Sequence, residues 1–317
     1  MTLSSEIEIH DLSNPLRDVK KLFDEMIVPY RPELWRYCYF ITGSPWDAED
    51  LVQETLIKAF ASIAQLWQPI HPKSYLFRIA SNSWIDQCRK TKIKIDPFEN
   101  VSESFYQEEI DIFEIENAIE QLVLYLSPRQ RVVFLLMDVF KFSSKEVGEI
   151  IGTTEGATKA LLHRARGKLK QFNEDKEVLE NGSNTISDEN REIINLFLDA
   201  FNRRDPNGIA KLLDTNVSND IVHIAKELGK DIVEKYSLTD WSKDPVEMRA
   251  EIHMLWGLPT IVQIGKMNGG NAIYNLNHIK IEHGKIVEIK DYYFCPELLH
   301  EAAIQLNLTA FQRNYTL

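Results

Sequence analysis

Gly152 separates two short helical patterns and limits the local fold more than any other residue in the sequence. The segment reads SSKEVGEIIGTTEGATKALLHRARGKLKQF. A helix from about Ser144 to Ile151 ends at this glycine, and Thr153 or Thr154 caps a second helix. Two helices joined by a short glycine-containing turn are typical of a helix-turn-helix, whose second helix enters the major groove of DNA. A helical hairpin with a solvated basic face is the alternative.

The distribution of charge supports the first interpretation. The net charge of the 317 residues is −12, which by itself argues against binding to nucleic acid. Residues 127–172, however, hold nine bases and four acids, whereas residues 96–126 hold nine acids and no base. Residues 173–317 hold 15 bases and 23 acids, and residues 1–95 are balanced with 12 of each. One basic module therefore lies between two acidic segments, as expected of a local phosphate-binding surface.

Changes in composition predict five segments. Residues 15–95 are helical by periodicity, and residues 96–115 form an acidic linker without a clean period. Residues 116–172 are helical again, and residues 173–187 form a second polar boundary. Residues 188–317 differ from both helical parts. The chain is therefore predicted to have two all-α domains followed by a third domain of another class.

An amphipathic helix is predicted in the first helical part, in the run WDAEDLVQETLIKAFASI. One apolar stripe at three- and four-residue spacing is formed by Leu51, Thr55, Leu56, Ala59 and Ile63. Pro45 stands shortly before this run, and Asp47 is predicted to cap the start of the helix.

Residues 188–317 are predicted to form an α+β domain. Two helical patterns come first, and the runs EIHMLWGLPTIVQIG, NAIYNLNHIKIE and KIVEIKDYYF then alternate and are rich in β-branched and aromatic residues. His283 and Gly284 lie between two of these runs and predict a hairpin turn. Pro296 opens a closing helix. Helices followed by antiparallel strands are typical of an α+β fold.

Several classes of protein are disfavoured. Cys38, Cys88 and Cys295 are far apart and form no CxxC pair, so neither a disulfide framework nor a zinc knuckle is predicted. No apolar run approaches the roughly 18 residues that a membrane helix needs. The start, MTLSSEIEIHDLSNPL, lacks the basic and apolar stretches of a secretory signal. We therefore expect a cytoplasmic protein without a membrane partner, metal or cofactor.

Three further runs carry a family resemblance. The run LSPRQRVVFLL followed by the helix-turn-helix resembles region 4 of sigma factors, and SPWDAEDLVQETLIKAF resembles region 2. PKSYLFRIASNSWIDQCRK resembles the promoter-melting segment of the same domain. The three runs occur in the order that the sigma-70 family uses, over about residues 15–172. The sequence has no separate region 3, and in this it resembles the smallest group of the family, the extracytoplasmic-function (ECF, group IV) sigma factors.

The resemblance implies a sigma factor that binds core RNA polymerase, recognises the −35 and −10 elements of promoter DNA and promotes initiation. Asp50, Gln53 and Glu54 match the helix face that docks on polymerase. The residues that match the −10 contacts are Arg78, Asn82, Asp86, Arg89 and Lys90.

The same resemblance assigns the −35 contacts to the second helix of the helix-turn-helix. Candidates for reading base edges are Glu155, Gly156, Lys159 and His163, and candidates for phosphate contacts are Arg164, Arg166 and Lys168. Relatives often carry an arginine where Leu161 stands, and a Trp-Leu pair where Tyr75 and Leu76 stand. The promoter sequence is therefore not transferable from the family.

Residues 188–317 resemble a SnoaL-like domain, in which a curved, cone-shaped sheet wraps a helix and leaves a pocket. Candidates for lining a pocket for a small ligand are Trp256, Tyr274, His278 and Asp291. No catalytic triad or metal spacing is visible among them, so no catalytic residue is assigned and the chain is not expected to be an enzyme. The resemblance implies that this domain modulates the sigma part in cis.

Another class of protein has the same helix-turn-helix. In this alternative, the chain is a helix-turn-helix transcriptional regulator with a ligand-binding or enzymatic C-terminal domain. Such a regulator binds its duplex site by itself, whereas a sigma factor opens a promoter only together with core polymerase.

Overall fold

The computed structural model describes residues 9–65, 71–91, 122, 125–172, 188–267 and 270–311. The chain divides into two compact units, Met1–Val178 and Leu179–Thr316. None of the helices in the described part of the chain is both long and apolar enough to cross a membrane.

The first unit is helical. Its helices are α1 (Ile9–Ile27), α2 (Arg31–Thr42), α3 (Pro45–Ser62), α4 (Pro72–Lys90), α5 (Pro128–Phe134), α6 (Ser144–Ile151) and α7 (Glu155–Phe172). Short 3₁₀ turns follow α1 and α3, and a π-helical turn, Leu135–Val139, extends α5. We refer to α1–α4 as the first helical group and to α5–α7 as the second helical group.

Local sequence signals fix where these helices start. Pro45 occupies the first turn of α3, and the Ser44 hydroxyl accepts a hydrogen bond from the Asp47 amide at 3.4 Å. The prediction that Asp47 caps this helix was therefore wrong, because the cap is Ser44 and Asp47 lies inside the first turn. At the start of α6, Ser143 and Glu146 form a reciprocal capping box.

A buried ion pair holds α2 against α3 in the first helical group. The Glu49 carboxylate is 0% exposed and accepts hydrogen bonds from Arg31 Nη2 at 3.0 Å and Trp35 Nε1 at 2.8 Å. In the predicted stripe, Leu51, Thr55 and Ala59 are likewise buried, and Leu56 and Ile63 are half-buried. A charged pair removed from water is costly unless both partners keep their hydrogen bonds. The contact therefore favours one relative position of α2 and α3.

Where the structure describes it, the second unit combines one sheet with five α-helices. The helices are α8 (Asp188–Asn202), α9 (Pro206–Leu212), α10 (Lys230–Val233), α11 (Thr239–Lys243) and α12 (Pro296–Gln305). The strands are β1 (Leu213–Ile221), β2 (Ala225–Leu228), β3 (Met248–Leu255), β4 (Leu258–Met267), β5 (Gly270–Glu282), β6 (Lys285–Asp291) and β7 (Thr309–Ala310).

The sheet runs in the order β2-β1-β6-β5-β4-β3, and β7 pairs with the start of β5. Most pairs are antiparallel, but β1 pairs with β6 and β7 pairs with β5 in parallel. The long strand β5 pairs with β4 through its first part and with β6 through its second part. The strands of the three predicted runs pair antiparallel as expected, whereas β1 was not predicted as a strand because its polar sequence LDTNVSNDI gives no strand signal.

One face of this sheet packs against the two leading helices. Phe197 and Phe201 of α8 join the same apolar core as Ile261, Ile286 and Ile289 of the strands. A layer of helices on a twisted sheet is the arrangement that the SnoaL resemblance implies. The prediction of two helical domains followed by an α+β domain is confirmed.

Candidate functional site

The helix-turn-helix has the geometry that its sequence predicts. Helix α6 ends at Ile151, and Gly152 follows with a φ of 65°, a left-handed conformation that suits glycine. The Thr154 hydroxyl accepts a hydrogen bond from the Ala157 amide at 3.2 Å and so caps α7. Thr158, Leu162 and Ala165 are buried, which leaves the opposite side of α7 in solvent.

Two glycines differ in the space around them. A Cβ added at Gly148 would lie 2.9 Å from the Thr153 carbonyl oxygen, so this position allows α6 and the turn to approach closely. A Cβ added at Gly156 would meet no atom within 4 Å. Gly148 therefore belongs to the packing of the motif, whereas Gly156 lies on its open face.

The candidate base-reading residues all lie on that exposed side of α7, and two of them pair with each other. Glu155 lies 2.7 Å from Lys159 and accepts a hydrogen bond from the Ser144 hydroxyl at 2.9 Å. These contacts hold the pKa of the Glu155 carboxyl below its usual range. Gly156 and His163 are also exposed. An exposed pair of this kind contributes little to stability.

Among the candidate phosphate contacts, Arg166 differs from Arg164 and Lys168. Its guanidinium donates two hydrogen bonds to the Asp138 carboxylate, at 2.9 and 2.6 Å. A bidentate pair of this geometry fixes the side chain. Arg166 therefore links α7 to the π-helical turn after α5, a contact that its sequence position does not predict.

The candidate −10 residues lie along one exposed side of α4. Asp86 and Arg89 form a surface ion pair with 3.0 Å between Oδ1 and Nη1, and Lys90 is exposed beside them. Arg78 Nη2 and Asn82 Nδ2 instead donate hydrogen bonds to main-chain carbonyls of α6. The strip is continuous, but its first two members already have partners in the second helical group.

The candidate polymerase residues share one side of α3. Asp50 is exposed, and Gln53 and Glu54 are half-buried. Glu54 accepts hydrogen bonds from Lys58 Nζ at 2.5 Å and from Gln87 Nε2 of α4 at 2.6 Å. Glu54 therefore also positions α3 against α4.

The four candidate pocket residues of the second unit do not come together on one face of the sheet. His278 pairs with Lys290 and its neighbour Asn277 pairs with Asp291, so His278 and Asp291 point to opposite faces. Trp256 lies in the turn between β3 and β4, with a φ of 47°. Tyr274 lies at an irregularity of β5. Alternation along a strand cannot reveal such turns and bulges in advance.

Tyr274 and His278 each contact a polar side chain. The Tyr274 hydroxyl donates to Asp244 Oδ2 at 2.7 Å. His278 Nε2 lies 3.0 Å from the Thr260 hydroxyl, and burial lowers the pKa of this imidazole to about 4. His278 is therefore neutral at pH 7.

A cluster of buried polar side chains, four amides and one carboxyl group, lies on the face that carries Asp291. Register places Asn219, Glu227, Gln263, Asn275 and Asn277 there, all buried. Gln263 Nε2 donates to Asn277 Oδ1 at 2.5 Å, and Asn219 Nδ2 donates to Glu227 Oε2 at 3.0 Å. Among the described residues, the side-chain oxygens of Asn219 and Asn275 find no hydrogen-bond partner. The signal in the sequence was the pair Asn275 and Asn277 at alternate positions within the run AIYNLN, and sequence reasoning passed over it.

Comparison with known families covers the helical unit. The model of sigma-70 region 2 matches residues 26–93, and the model of sigma-70 region 4 matches residues 116–169.

Two curated relatives match the same part. The ECF RNA polymerase sigma factor SigG of Mycobacterium tuberculosis is 32% identical over 170 residues, which are 45% of this chain and 46% of SigG. SigW of Bacillus subtilis is 28% identical over 174 residues, which are 49% of this chain and 93% of SigW. The chain thus spans about half the length of the first of these relatives.

Among solved structures, the Mycobacterium tuberculosis ECF sigma factor SigJ is similar to this chain. The alignment covers 83% of this chain and 93% of the SigJ chain. Its sequence identity is 19% and its TM-score is 0.30.

Proposed function

Because the N-terminal half of this chain belongs to the sigma-70 family, we propose that the protein is an ECF-type RNA polymerase sigma factor. It binds core RNA polymerase in the cytoplasm, recognises the −35 and −10 elements of a promoter and promotes initiation. The observation that carries the proposal is the presence, in one helical unit, of an exposed helix-turn-helix face on α7 and an exposed polar and basic strip on α4. The first suits duplex DNA and the second suits an unpaired strand.

Each surface receives one role. Side chains on α3, led by Asp50 and Gln53, contact polymerase, and opposite charge on the partner would steer association. The exposed residues of α4 hold the melted −10 strand. The exposed side of α7 reads the −35 element, with Lys159 and His163 toward base edges and Arg164 and Lys168 toward phosphates.

Reconstituted transcription tests this function. Together with core polymerase, the protein is expected to form heparin-resistant open complexes and to direct transcription from its promoter. By itself, it is expected to bind the same duplex only non-specifically, with an affinity of about 1 μM or weaker. Core polymerase alone is the control. Specific binding to the duplex by the isolated protein, without any polymerase-dependent opening, would instead establish a helix-turn-helix regulator.

The second unit is part of the proposal as a regulator in cis rather than an enzyme. Residues 173–317 carry eight more acids than bases, so they repel DNA and do not suit a third DNA contact. A small ligand bound in this unit, at the face that carries the buried amides, would be the signal that changes the activity of the sigma part.

Truncation after Phe172 tests the regulatory role. At a limiting concentration of the protein, the truncated form is expected to direct at least about threefold more transcription than the full-length form. The reason is that the acidic unit no longer opposes approach to DNA. The difference should shrink as salt is raised, since screening weakens repulsion between separated charges. Equal activity and equal affinity for polymerase in both forms would contradict regulation by this unit.

A further inference from the structure

The buried carboxyl group of Glu227 has no positively charged partner in the described part of the chain. Glu227 lies in β2 and is 9% exposed. The Asn219 amide donates to Glu227 Oε2 at 3.0 Å, and no lysine, arginine or histidine among the described residues pairs with this carboxylate. A carboxylate can accept about four hydrogen bonds, and burying its charge is costly unless they are made. Glu227 can therefore accept further hydrogen bonds.

Asn219 adds a second acceptor beside Glu227. Its Nδ2 contacts Glu227 Oε2 and, at 3.1 Å, Ser237 Oγ, and these two contacts fix the orientation of the amide. Exchanging the amide nitrogen and oxygen would turn the oxygen toward the carboxylate, which has no proton to donate. Asn219 is 3% exposed, yet its Oδ1 finds no donor among the described residues. A buried oxygen without a donor costs stability, so this place lacks hydrogen-bond donors.

Strand register places both side chains on the face of the sheet that the leading helices cover. Asn219 pairs with Glu227 of β2 on one side and with Ile289 of β6 on the other. Ile289 belongs to the apolar core that packs against α8. Successive residues of a strand point to opposite faces, so Lys226 and Lys290 lie on the other face. These two lysines, adjacent in sequence to Glu227 and Ile289, therefore point away from the carboxylate.

A short helical segment lies against Asn219. It consists of α10, the π-helical turn Glu234–Leu238 and α11. Val233 and Leu238 anchor this segment in the apolar core, whereas Ser237 is half-buried and contacts Asn219. π-helical turns are rare and occur frequently at functional sites. Ser237 therefore marks the part of the segment that lies between Asn219 and solvent.

We propose that this face of the second unit binds a small organic cation that carries N–H groups, with Glu227 as its counter-ion. The N–H groups of the cation donate to the Glu227 carboxylate and to Asn219 Oδ1, and so supply the donors that both acceptors lack. The cation enters beside Ser237, whose turn moves outward. The inference rests on the proposed function, because it names the chemical class of the ligand that would regulate the sigma part.

Charge distinguishes this class of ligand from the others. An anion would be repelled by the Glu227 carboxylate and by the acidic balance of residues 173–317. A neutral donor would leave the carboxylate without a counter-ion, in an interior where Coulomb interactions are stronger than in water. Further along the same face, Asn275 is 2% exposed and its Oδ1 also finds no donor among the described residues. Polar hydrogens on the rest of the ligand would donate to this oxygen.

Calorimetric titration of the full-length protein with matched probes tests the ligand class. Benzamidinium, benzamide and benzoate share one ring and nearly one shape, but at neutral pH they are a cation, a neutral molecule and an anion. The second cation, n-butylammonium, has a different shape. At least one of the two cations is expected to bind with a Kd of about 1 mM, which is usual for a ligand of this size. Benzamide is expected to bind at least about tenfold more weakly, and benzoate not measurably.

Glu227→Gln keeps the size of the side chain, removes its charge and is expected to weaken binding of the cation at least about tenfold. Glu288→Gln is the matched control and should bind normally, because Glu288 of β6 pairs with Ser218 and points to the opposite face. The proposal is overturned if neither cation binds, if benzamide or benzoate binds as tightly, if Glu227→Gln keeps the wild-type affinity, or if the control loses it. The wild-type probe series decides alone if Glu227→Gln fails to fold. The titration needs no polymerase or promoter, so its failure is distinguishable from a failure of the sigma function.

Discussion

Replacing Arg89 and Lys90 together by alanine is expected to lower open-complex formation about 100-fold while binding to core polymerase persists. Each charge-assisted contact to a phosphate contributes roughly 1.5 kcal/mol, and about 1.4 kcal/mol corresponds to a factor of ten. In the described part of the chain, Arg89 forms an ion pair with Asp86 on an exposed surface, so the free protein loses little stability. The slope of the logarithm of activity against the logarithm of salt concentration should also fall by about one to two.

The control for this pair is Lys20→Ala with Lys21→Ala on α1, which removes two adjacent positive charges from the same unit. Permanganate footprinting reports melting, and polymerase binding is measured separately by fluorescence anisotropy. Loss of polymerase affinity in the Arg89 and Lys90 variant would assign these residues to the polymerase surface instead. An equal loss of melting in the control would show that the loss of positive charge, rather than a specific contact of Arg89 or Lys90, causes the effect.

Glu49→Ala is expected to destabilise the first helical group by about 3–5 kcal/mol, because it removes the carboxylate from a buried arginine. Arg31 is 8% exposed and lies 3.0 Å from that carboxylate, and Trp35 also donates to it. Hydrogen exchange of the α2 and α3 amides measures the free energy of opening locally, without interference from the second unit.

Two further variants show whether charge or packing explains the loss. Arg31→Met combined with Glu49→Leu should recover much of the stability, since apolar residues of similar size often replace a buried pair at little cost. Asp24→Ala, which breaks the exposed Lys20–Asp24 pair, should cost less than about 0.5 kcal/mol. Full destabilisation in the double variant would mean that hydrogen bonding, not unpaired charge, sets the cost.

Local order in the helix-turn-helix could be predicted from the sequence because its signals are local. Ser144, Ile151 and Gly152 define the first helix and its end, and the buried positions of α7 follow from its period. The contact between Arg166 and Asp138 joins residues 28 positions apart and has no periodic signature. Contacts of this kind depend on tertiary packing.

The faces of the candidate pocket residues could not be predicted for a similar reason. Which face a strand residue occupies depends on register, and irregularities occur beside Tyr274 and again beyond Lys280. The sequence left the faces of Asp291 and His278 open, and in the structure these side chains point to opposite faces. The buried amides occupy the Asp291 face instead, and the roles assigned to the DNA and polymerase contacts stay predictions.

The contrast between Gly148 and Gly156 has a consequence for how promoter preference can diversify. A side chain at Gly148 would collide with the Thr153 carbonyl oxygen, so almost any substitution there disturbs the turn. Gly156 faces open space, so its replacement is expected to change the exposed surface of the helix without a collision. Mutations that retarget the motif are thereby separated from mutations that unfold it, and a duplicated copy of this chain could acquire a new regulon without first losing its fold.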